Sequence, residues 1–187
     1  MITKAYLDLH RAEIVKEMKE GKIFVYPTEI FYAVGCNALN KESVLKIRHL
    51  KRKSTKPFSI ISPNVDWINE NCIANKNGAV WVKKLPGPYT LIFKLKNTNC
   101  VAKEVNPGLK TLGIRIPKHW ISKLVAEADV PVITTSVNKN NEDYMTSLDD
   151  LDASIKKSVD FVIYEGEKLG KPSKIIDLTE TVKVIER

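Results

Sequence analysis

The feature that most constrains the fold of this chain is a series of short apolar runs, each ending at a compact block of hydroxyl, amide, cationic or Pro/Gly residues. The runs are rich in β-forming residues and alternate with segments of helical periodicity, a pattern typical of a mixed α/β protein. Five blocks follow one another: Pro27-Thr28-Glu29, Lys51-Arg52-Lys53, Pro86-Gly87-Pro88, Gly113-Ile114-Arg115 and Thr135-Ser136-Val137-Asn138. Such groups are suited to holding an anionic, polyphosphate-like ligand. We therefore expect an α/β fold whose strand ends present a ligand site.

Periodicity and turn residues predict the elements on which these blocks lie. We expect a helix over residues 8–20 that ends at Gly21, and a second helix that begins at Asn40 and ends at Lys51, with its last cations projecting outward. Further helices are predicted within 66–84, with a break around Asn77-Gly78, around 120–125 and over 147–157. The predicted strands are 22–26, 57–62, 89–95, 111–116, 130–134, 161–164, 174–178 and 182–185.

The length of 187 residues, with 43% hydrophobic and 28% charged residues, predicts one domain over 1–187 with a substantial core. Three widely separated cysteines form no CxxC pair, which argues against a zinc site or a disulfide framework and favours the reducing cytoplasm. The three histidines lack ligand spacing, so we expect no protein-held metal. No segment approaches the ~20 apolar residues that cross a bilayer, so no membrane association is expected.

The 30 basic and 22 acidic residues give a formal net charge of +8, which favours anionic partners such as nucleotides or RNA. A merely soluble surface is the alternative explanation. Neither GxxxxGK[ST] nor GxGxxG is present, so a nucleotide would be held without either familiar phosphate loop.

Each polar block has a ligand-binding interpretation and a structural one. Thr28 follows a strand and Pro27, so its hydroxyl either contacts a ligand or stabilises a turn. The basic run at Lys51 either neutralises phosphates or is a solvated helix end. Thr135, Ser136 and Asn138 either bind a ligand or form an Asx or Ser/Thr turn. For Arg115, inside an apolar strand, we favour binding of a carboxylate or phosphate through its planar fork.

Taken in order, the blocks resemble the YrdC-like family of L-threonylcarbamoyladenylate synthases, and the resemblance spans about residues 14–180. The family pattern is YPTD/E, a K-x-R cluster, PGP-x-T, G-x-R-x-P, TSAN and a late S-T-I-x-D. The matching residues are Tyr26 to Glu29; Lys51 with Lys53; Pro86, Gly87, Pro88 and Thr90; Gly113, Arg115 and Pro117; Thr135, Ser136 and Asn138; and Ser173, Ile175 and Asp177.

The resemblance implies a twisted mixed sheet flanked by helices, with a concave basic cleft, in the short single-domain form of the family. It implies that L-threonine, bicarbonate and ATP, with Mg²⁺, give threonylcarbamoyl-AMP and pyrophosphate for t6A modification of tRNA, and that partner proteins complete the transfer. The implied catalytic residues are Lys51, Lys53 and Arg115. ATP is assigned to Lys51, Lys53, Lys56, Thr111, Ser136, Asn138 and Thr146, and threonine to Thr28, Tyr32, Arg115, Thr135 and Ser173.

Several positions depart from the family pattern. Ile30 stands where many members have a second threonine, Lys53 replaces arginine, Val137 replaces alanine, Lys139-Asn140 replace Ser-Gly, and Lys174 replaces threonine. Lysine keeps the charge at position 53 but loses the bidentate fork. Two alternatives therefore stay open: a non-catalytic RNA-binding module, and a paralogue that transfers another carbamoyl or acyl group.

Overall fold

The described residues of this computed structural model, 1–52, 55–138, 144–170 and 173–185, form one mixed sheet with helices on both of its faces. The strands are β1 (Ile2–Thr3), β2 (Phe24–Pro27), β3 (Tyr32–Gly35), β4 (Ser59–Ile61), β5 (Cys72–Ile73), β6 (Tyr89–Leu95), β7 (Thr111–Arg115), β8 (Val132–Ser136), β9 (Phe161–Tyr164), β10 (Lys174–Asp177) and β11 (Lys183–Ile185). The helices are α1 (Lys4–Leu9), α2 (Arg11–Glu20), α3 (Lys41–Leu50), α4 (Val65–Asn71), α5 (Lys76–Val82), α6 (Ile121–Ala128) and α7 (Ala153–Ser158), with a 3₁₀ helix at Leu148–Asp150.

The strand order across the sheet is β1-β9-β2-β3-β8-β4-β7-β6-β10-β11, and β5 pairs with β6 beside this path. The pairs β1 with β9, β9 with β2, β4 with β7 and β6 with β10 are parallel, and the other pairs are antiparallel. At the centre of the sheet, Ser59 of β4 is paired with Gly113 of β7 on one side and with Thr134 of β8 on the other.

Each face of the sheet carries its own hydrophobic core, because side chains alternate along the strands. Ile60, Ile114 and Ile133 pack into a large core with residues of α3, α4, α5 and α7. Ile61 and Val132 belong to a smaller core with residues of α1, α2 and α6. On this second face the apolar residues give way to Ser59, Gly113 and Thr134, and a cleft lies there.

The structure confirms both predicted helix boundaries near the first two blocks. Gly21 ends α2 in the left-handed conformation with φ of 89°, which glycine adopts without strain. The Asn40 side chain accepts a hydrogen bond from the Ser43 amide at 3.1 Å and so caps α3. The predicted bounds of β6 and β9 are also those observed.

Three element predictions are wrong. The helical segment 66–84 breaks at β5 and not at Asn77-Gly78, because the Asn75 side chain accepts from the Gly78 amide at 2.8 Å and so begins α5. The helix predicted over 147–157 is a 3₁₀ helix followed by α7, which Asp152 caps through Ser154. The helix predicted over residues 8–20 is divided at His10 between α1 and α2. Strands β1 and β3 were not predicted.

None of the helices in the described part of the chain is long and apolar enough to cross a bilayer.

Candidate ligand cleft

A cleft of about 200 Å³ opens over the uncovered part of the second sheet face. Its lining combines aromatic, hydroxyl and cationic side chains from the turn after β2, the start of β4, and β6, β7 and β8. The lining residues are Phe31, Pro57, Phe58, Ser59, Thr90, Arg115, Thr134, Thr135, Ser136 and Tyr144. Segments far apart in the sequence therefore meet at one depression.

The absence of a side chain at Gly113 keeps the floor of this cleft open. A Cβ atom at Gly113 would lie 2.7 Å from Ser59 Oγ and 3.4 Å from Thr90 Cγ2. Both of those residues line the cleft. Glycine thus keeps the space between Ser59 and Thr90 open, because a methyl group here would displace the hydroxyl of Ser59.

Among the described residues of the cleft lining, Arg115 is the cation, and its side chain is only 8% exposed. Its Nη2 atom lies 3.8 Å from Oε2 of Glu29, which belongs to the first block. Charge this deeply buried requires a neighbouring opposite charge or a bound anion. The Glu29 carboxylate therefore helps to balance the guanidinium at the wall of the cleft.

Glu29 also acts electrostatically on His119, which lies in a cluster of polar and ionisable side chains around Glu165. His119 Nε2 lies 3.8 Å from Oε2 of Glu165, and the same carboxylate accepts from Lys168 Nζ at 2.9 Å and from Trp120 Nε1 at 3.2 Å. Burial lowers the pKa of His119, while Glu29 and Glu165 act in the opposite direction. The imidazole is therefore neutral near pH 7.

Lys51 points into the protein, so the expectation of outward-facing cations is wrong at this position. Its Nζ donates to the carbonyl of Ser136 at 2.6 Å, to the carbonyl of Asn138 at 2.5 Å, and to Asn138 Oδ1. The hydroxyl of Ser136 also donates to Asn138 Oδ1 at 2.6 Å. The lysine at the end of α3 thus fixes the segment after β8, and its charge lies beside a cleft-lining residue.

The Thr28 hydroxyl forms a turn, which is the structural alternative proposed for it. It donates to the Phe31 carbonyl at 2.7 Å and accepts from the amides of Ile30 and Phe31 at 3.2 and 3.3 Å. These three bonds use the donor and both acceptor positions of a hydroxyl. A hydrogen bond from the Thr28 hydroxyl to the substrate L-threonine, which the family resemblance predicts, would require the turn to rearrange.

Tyr32 and Thr146 likewise use their hydroxyls within the protein and are not among the cleft-lining residues. Tyr32 donates to the Gly166 carbonyl at 2.6 Å and accepts from the Glu165 amide at 3.0 Å, and burial raises its pKa to about 12. Thr146 donates from both its amide and its hydroxyl to Asp150, at 2.8 and 2.9 Å. Their predicted ligand contacts stay predictions.

The other predicted site residues differ in their distance from the cleft. Thr135 lines it, and the buried Ser173 lies behind it with Oγ 3.3 Å from Oγ1 of the lining residue Thr90. Lys56 is exposed next to Pro57, and Thr111 stands at the other end of β7 from Arg115. Lys53 and the replaced pair Lys139-Asn140 lie outside the described residues.

Ser59, Phe31, Phe58 and Tyr144 line the cleft but were not among the predicted site residues. Ser59 had a usable signal, since period-two alternation in the strand Pro57 to Ser62 places it opposite Phe58 and Ile60. No sequence signal indicated Tyr144, because it follows a polar loop without periodicity.

The lining contains no carboxylate, histidine or cysteine among the residues that the structure describes. All three cysteines are buried, and burial raises the pKa of Cys72 to about 12 and of Cys100 to about 11. Thiols of this kind are not nucleophiles near neutral pH. The arrangement is suited to binding and polarising an anionic ligand and offers no side-chain general base.

These features define an α/β protein with a polar ligand cleft on the open face of a mixed sheet. The chain belongs to the Sua5/YciO/YrdC family, whose model, described as "Telomere recombination", matches residues 16–187.

Named relatives extend this assignment. The chain is 35% identical over 170 residues to a Methanocaldococcus jannaschii protein named "Putative threonylcarbamoyl-AMP synthase", covering 88% of this chain and 78% of the relative. The structure of Pyrococcus abyssi Sua5 complexed with L-threonine superposes with a TM-score of 0.83 at 26% identity, over 96% of this chain and 54% of that one. Escherichia coli YciO gives a TM-score of 0.78 at 26% identity, over 94% and 87%. The chain therefore spans about half the length of the P. abyssi protein.

Proposed function

We propose that this chain is an L-threonylcarbamoyladenylate synthase that forms threonylcarbamoyl-AMP and pyrophosphate from L-threonine, bicarbonate and ATP. The names of its relatives and the threonine-bound P. abyssi neighbour support this function. The observation that carries the proposal is the meeting, at one cleft, of Arg115 with Ser136, to which Lys51 is hydrogen-bonded.

The proposed reaction needs no side chain as a base. The threonine amine captures bicarbonate with loss of water, and the carbamate oxygen that results is already an anionic nucleophile. This oxygen attacks the α-phosphorus of ATP, and the bond from that phosphorus to the bridging oxygen breaks as pyrophosphate leaves. Positioning and charge stabilisation then supply the acceleration, which agrees with a lining of hydroxyls and one guanidinium.

The nucleotide end of the site is assigned to the residues near Lys51. Its ammonium is fixed against Ser136 and Asn138, so a positive charge lies beside the hydroxyl that we assign to the phosphates. Lys53, Lys56 and Thr111 are proposed to complete the contacts with the triphosphate and the nucleoside.

Magnesium enters this proposal as part of the MgATP substrate. No group of three or more His, Cys, Asp or Glu side chains comes together as a metal site in residues 1–52, 55–138, 144–170 and 173–185. Phosphate oxygens and water would therefore supply the ligands of Mg²⁺, which keeps several waters in most protein sites.

The amino-acid end is assigned to Arg115. Its planar fork is suited to a carboxylate held through two parallel hydrogen bonds. Thr90 of β6 lines the same cleft as Arg115, and its hydroxyl oxygen lies 3.3 Å from that of Ser173, which precedes β10. These small hydroxyl side chains are better suited to contact the side chain of L-threonine than that of a substrate with a bulky apolar side chain.

The product is a mixed carbamic-phosphoric anhydride, so a transferase must consume it before water does. In the family reaction the threonylcarbamoyl group is transferred to tRNA. We propose that partner proteins carry out this transfer in the cytoplasm.

The test is to incubate the purified chain with MgATP and bicarbonate, with and without L-threonine, and to measure pyrophosphate release. We expect release that depends on threonine and that serine or valine supports poorly. Arg115→Ala should lose most of this turnover, while Arg11→Ala, which removes a partly buried arginine of α2 that is paired with Glu127 and does not line the cleft, should retain it. Release of pyrophosphate at the same rate without threonine would overturn the proposal, as would full turnover in Arg115→Ala.

A further inference from the structure

Three consecutive backbone contacts determine which side chains enter the cleft at its aromatic end. The Tyr32 amide donates to the Met145 carbonyl at 2.8 Å, the Met145 amide to the Val137 carbonyl at 3.1 Å, and the Val137 amide to the Tyr32 carbonyl at 3.0 Å. All three of these residues pack into the large hydrophobic core. In extended backbone the preceding residue projects to the other side.

Phe31, Ser136 and Tyr144 are the residues that precede these three, and all of them line the cleft. The rings of Phe31 and Tyr144 stack with their centroids 4.9 Å apart and an interplanar angle of 25°. Phe31 is 9% exposed, whereas Tyr144 is 46% exposed. Phe31 therefore supports Tyr144, which carries a large exposed aromatic surface at the mouth of a cleft.

The aromatic pair stands next to the part of the cleft assigned to phosphates. Ser136 is held by Lys51 through its carbonyl, and its hydroxyl donates to Asn138. A nucleotide with its phosphates at this end needs an apolar surface for its base within the same cleft. A flat base stacks on an aromatic ring whatever its edge groups are.

We propose that Tyr144, supported by Phe31, is the stacking surface for the nucleotide base. The inference rests on the proposed use of ATP and assigns to Tyr144 a binding role that neither the sequence pattern nor the comparisons give it. It also orients the ligand, with the base at Tyr144 and the phosphates toward Ser136 and Lys51.

The experiment compares two ligands that share a phosphate chain: MgATP and magnesium tripolyphosphate, which has no base. Calorimetry measures the affinity of each for the wild-type chain, Tyr144→Phe and Tyr144→Ala. We expect Tyr144→Ala to lose about 10-fold or more in ATP affinity, with the affinity for tripolyphosphate unchanged. Tyr144→Phe keeps the ring and should bind ATP as the wild type does.

The outcomes separate this inference from the proposed function. ATP affinity that stays unchanged in Tyr144→Ala, or that falls together with tripolyphosphate affinity, overturns the stacking role and leaves the synthase proposal standing. A wild-type chain that binds no ATP overturns the proposed function itself. Because Tyr144 is half exposed, Tyr144→Ala is expected to fold, and an unchanged unfolding midpoint checks this.

Discussion

The Nζ atom of Lys51 lies 2.6 Å from the carbonyl oxygen of Ser136, which joins two polar blocks that are 85 positions apart in the sequence. The same ammonium also donates to the carbonyl and the side chain of Asn138. These hydrogen bonds fix the lysine against the segment after β8, so the ammonium is part of the scaffold of the cleft.

Lys51→Met should destabilise the fold and weaken nucleotide binding together. It removes the charged donor from four half-buried oxygens of Ser136 and Asn138, which costs on the order of 2 kcal/mol in the free energy of unfolding. Denaturant unfolding measures this loss, and calorimetry with MgATP measures the affinity.

Lys46→Met, on the exposed side of the same helix, is the matched control and should change neither quantity. A Lys51→Met chain that is as stable as the wild type would show that these contacts do not hold the segment.

Substitutions at Thr28 separate its turn role from its predicted ligand role. Thr28→Val removes three hydrogen bonds within the turn and should cost about 1 to 2 kcal/mol in unfolding free energy, whereas Thr28→Ser keeps the hydroxyl and should cost much less. If the turn is the only role, the KM for threonine in Thr28→Ser equals that of the wild type. A large increase in the KM for L-threonine in Thr28→Ser, at unchanged stability, would instead show that the side chain of Thr28 contacts the ligand.

The location of the cleft could be predicted because the polar blocks follow apolar strands, and neighbouring strands bring their ends together. Arg115 illustrates this, since its burial in the cleft wall follows from its place inside the apolar strand Thr111–Arg115. Thr135 and Ser136 are placed by the end of β8 in the same way.

Side-chain direction could not be predicted where it depends on tertiary contacts. A basic residue at a helix end is usually solvated, and only the approach of the segment after β8 turns Lys51 inward. The position of Tyr144 depends on its neighbour Met145, whose carbonyl accepts from the amide of Tyr32, a residue far away in the sequence.

His119 should make the stability of the fold depend on pH in a defined window. Burial lowers its pKa in the folded chain below the ordinary value of 6.5, so the unfolded chain takes up the proton first as the pH falls. The stabilisation is complete above that ordinary value and is lost as the pH falls from it toward the folded pKa. Unfolding midpoints measured between pH 7.5 and about pH 5 test this.

His119→Gln should flatten the midpoint curve in that window, and His10→Gln, at an exposed histidine, should not. The pKa values of Asp150, Glu165 and Asp177 are also lowered, but their contributions are lost at more acidic pH. A wild-type midpoint that does not change across the window would contradict the prediction.

Glu29→Gln tests whether this carboxylate positions Arg115. The substitution keeps the shape of the side chain and removes the charge 3.8 Å from the guanidinium. We expect the KM for threonine to rise several-fold with a smaller change in kcat, because Arg115 loses a fixed orientation. Glu29 also raises the pKa of His119, so that pKa should fall further in the variant, as an NMR titration of His119 can show. Glu13→Gln, at an exposed carboxylate on α2, is the control, and a KM and a His119 pKa both equal to those of the wild type would contradict the role.

Gly113→Ala should reduce ligand binding by occupying the cleft floor. The new methyl group would lie 2.7 Å from Ser59 Oγ, and the hydroxyl can rotate away, so the fold should lose little stability while the floor becomes shallower and Ser59 is displaced. Calorimetry with threonine and MgATP should then show weaker binding at a nearly unchanged unfolding midpoint. The double variant Gly113→Ala with Ser59→Ala relieves the contact, since the nearest remaining Ser59 atom is Cβ at 3.4 Å. It should recover any lost stability but not the affinity, because the methyl group still fills the space that the ligand needs. Full affinity in the single variant would mean that the ligand does not approach the floor between Ser59 and Thr90.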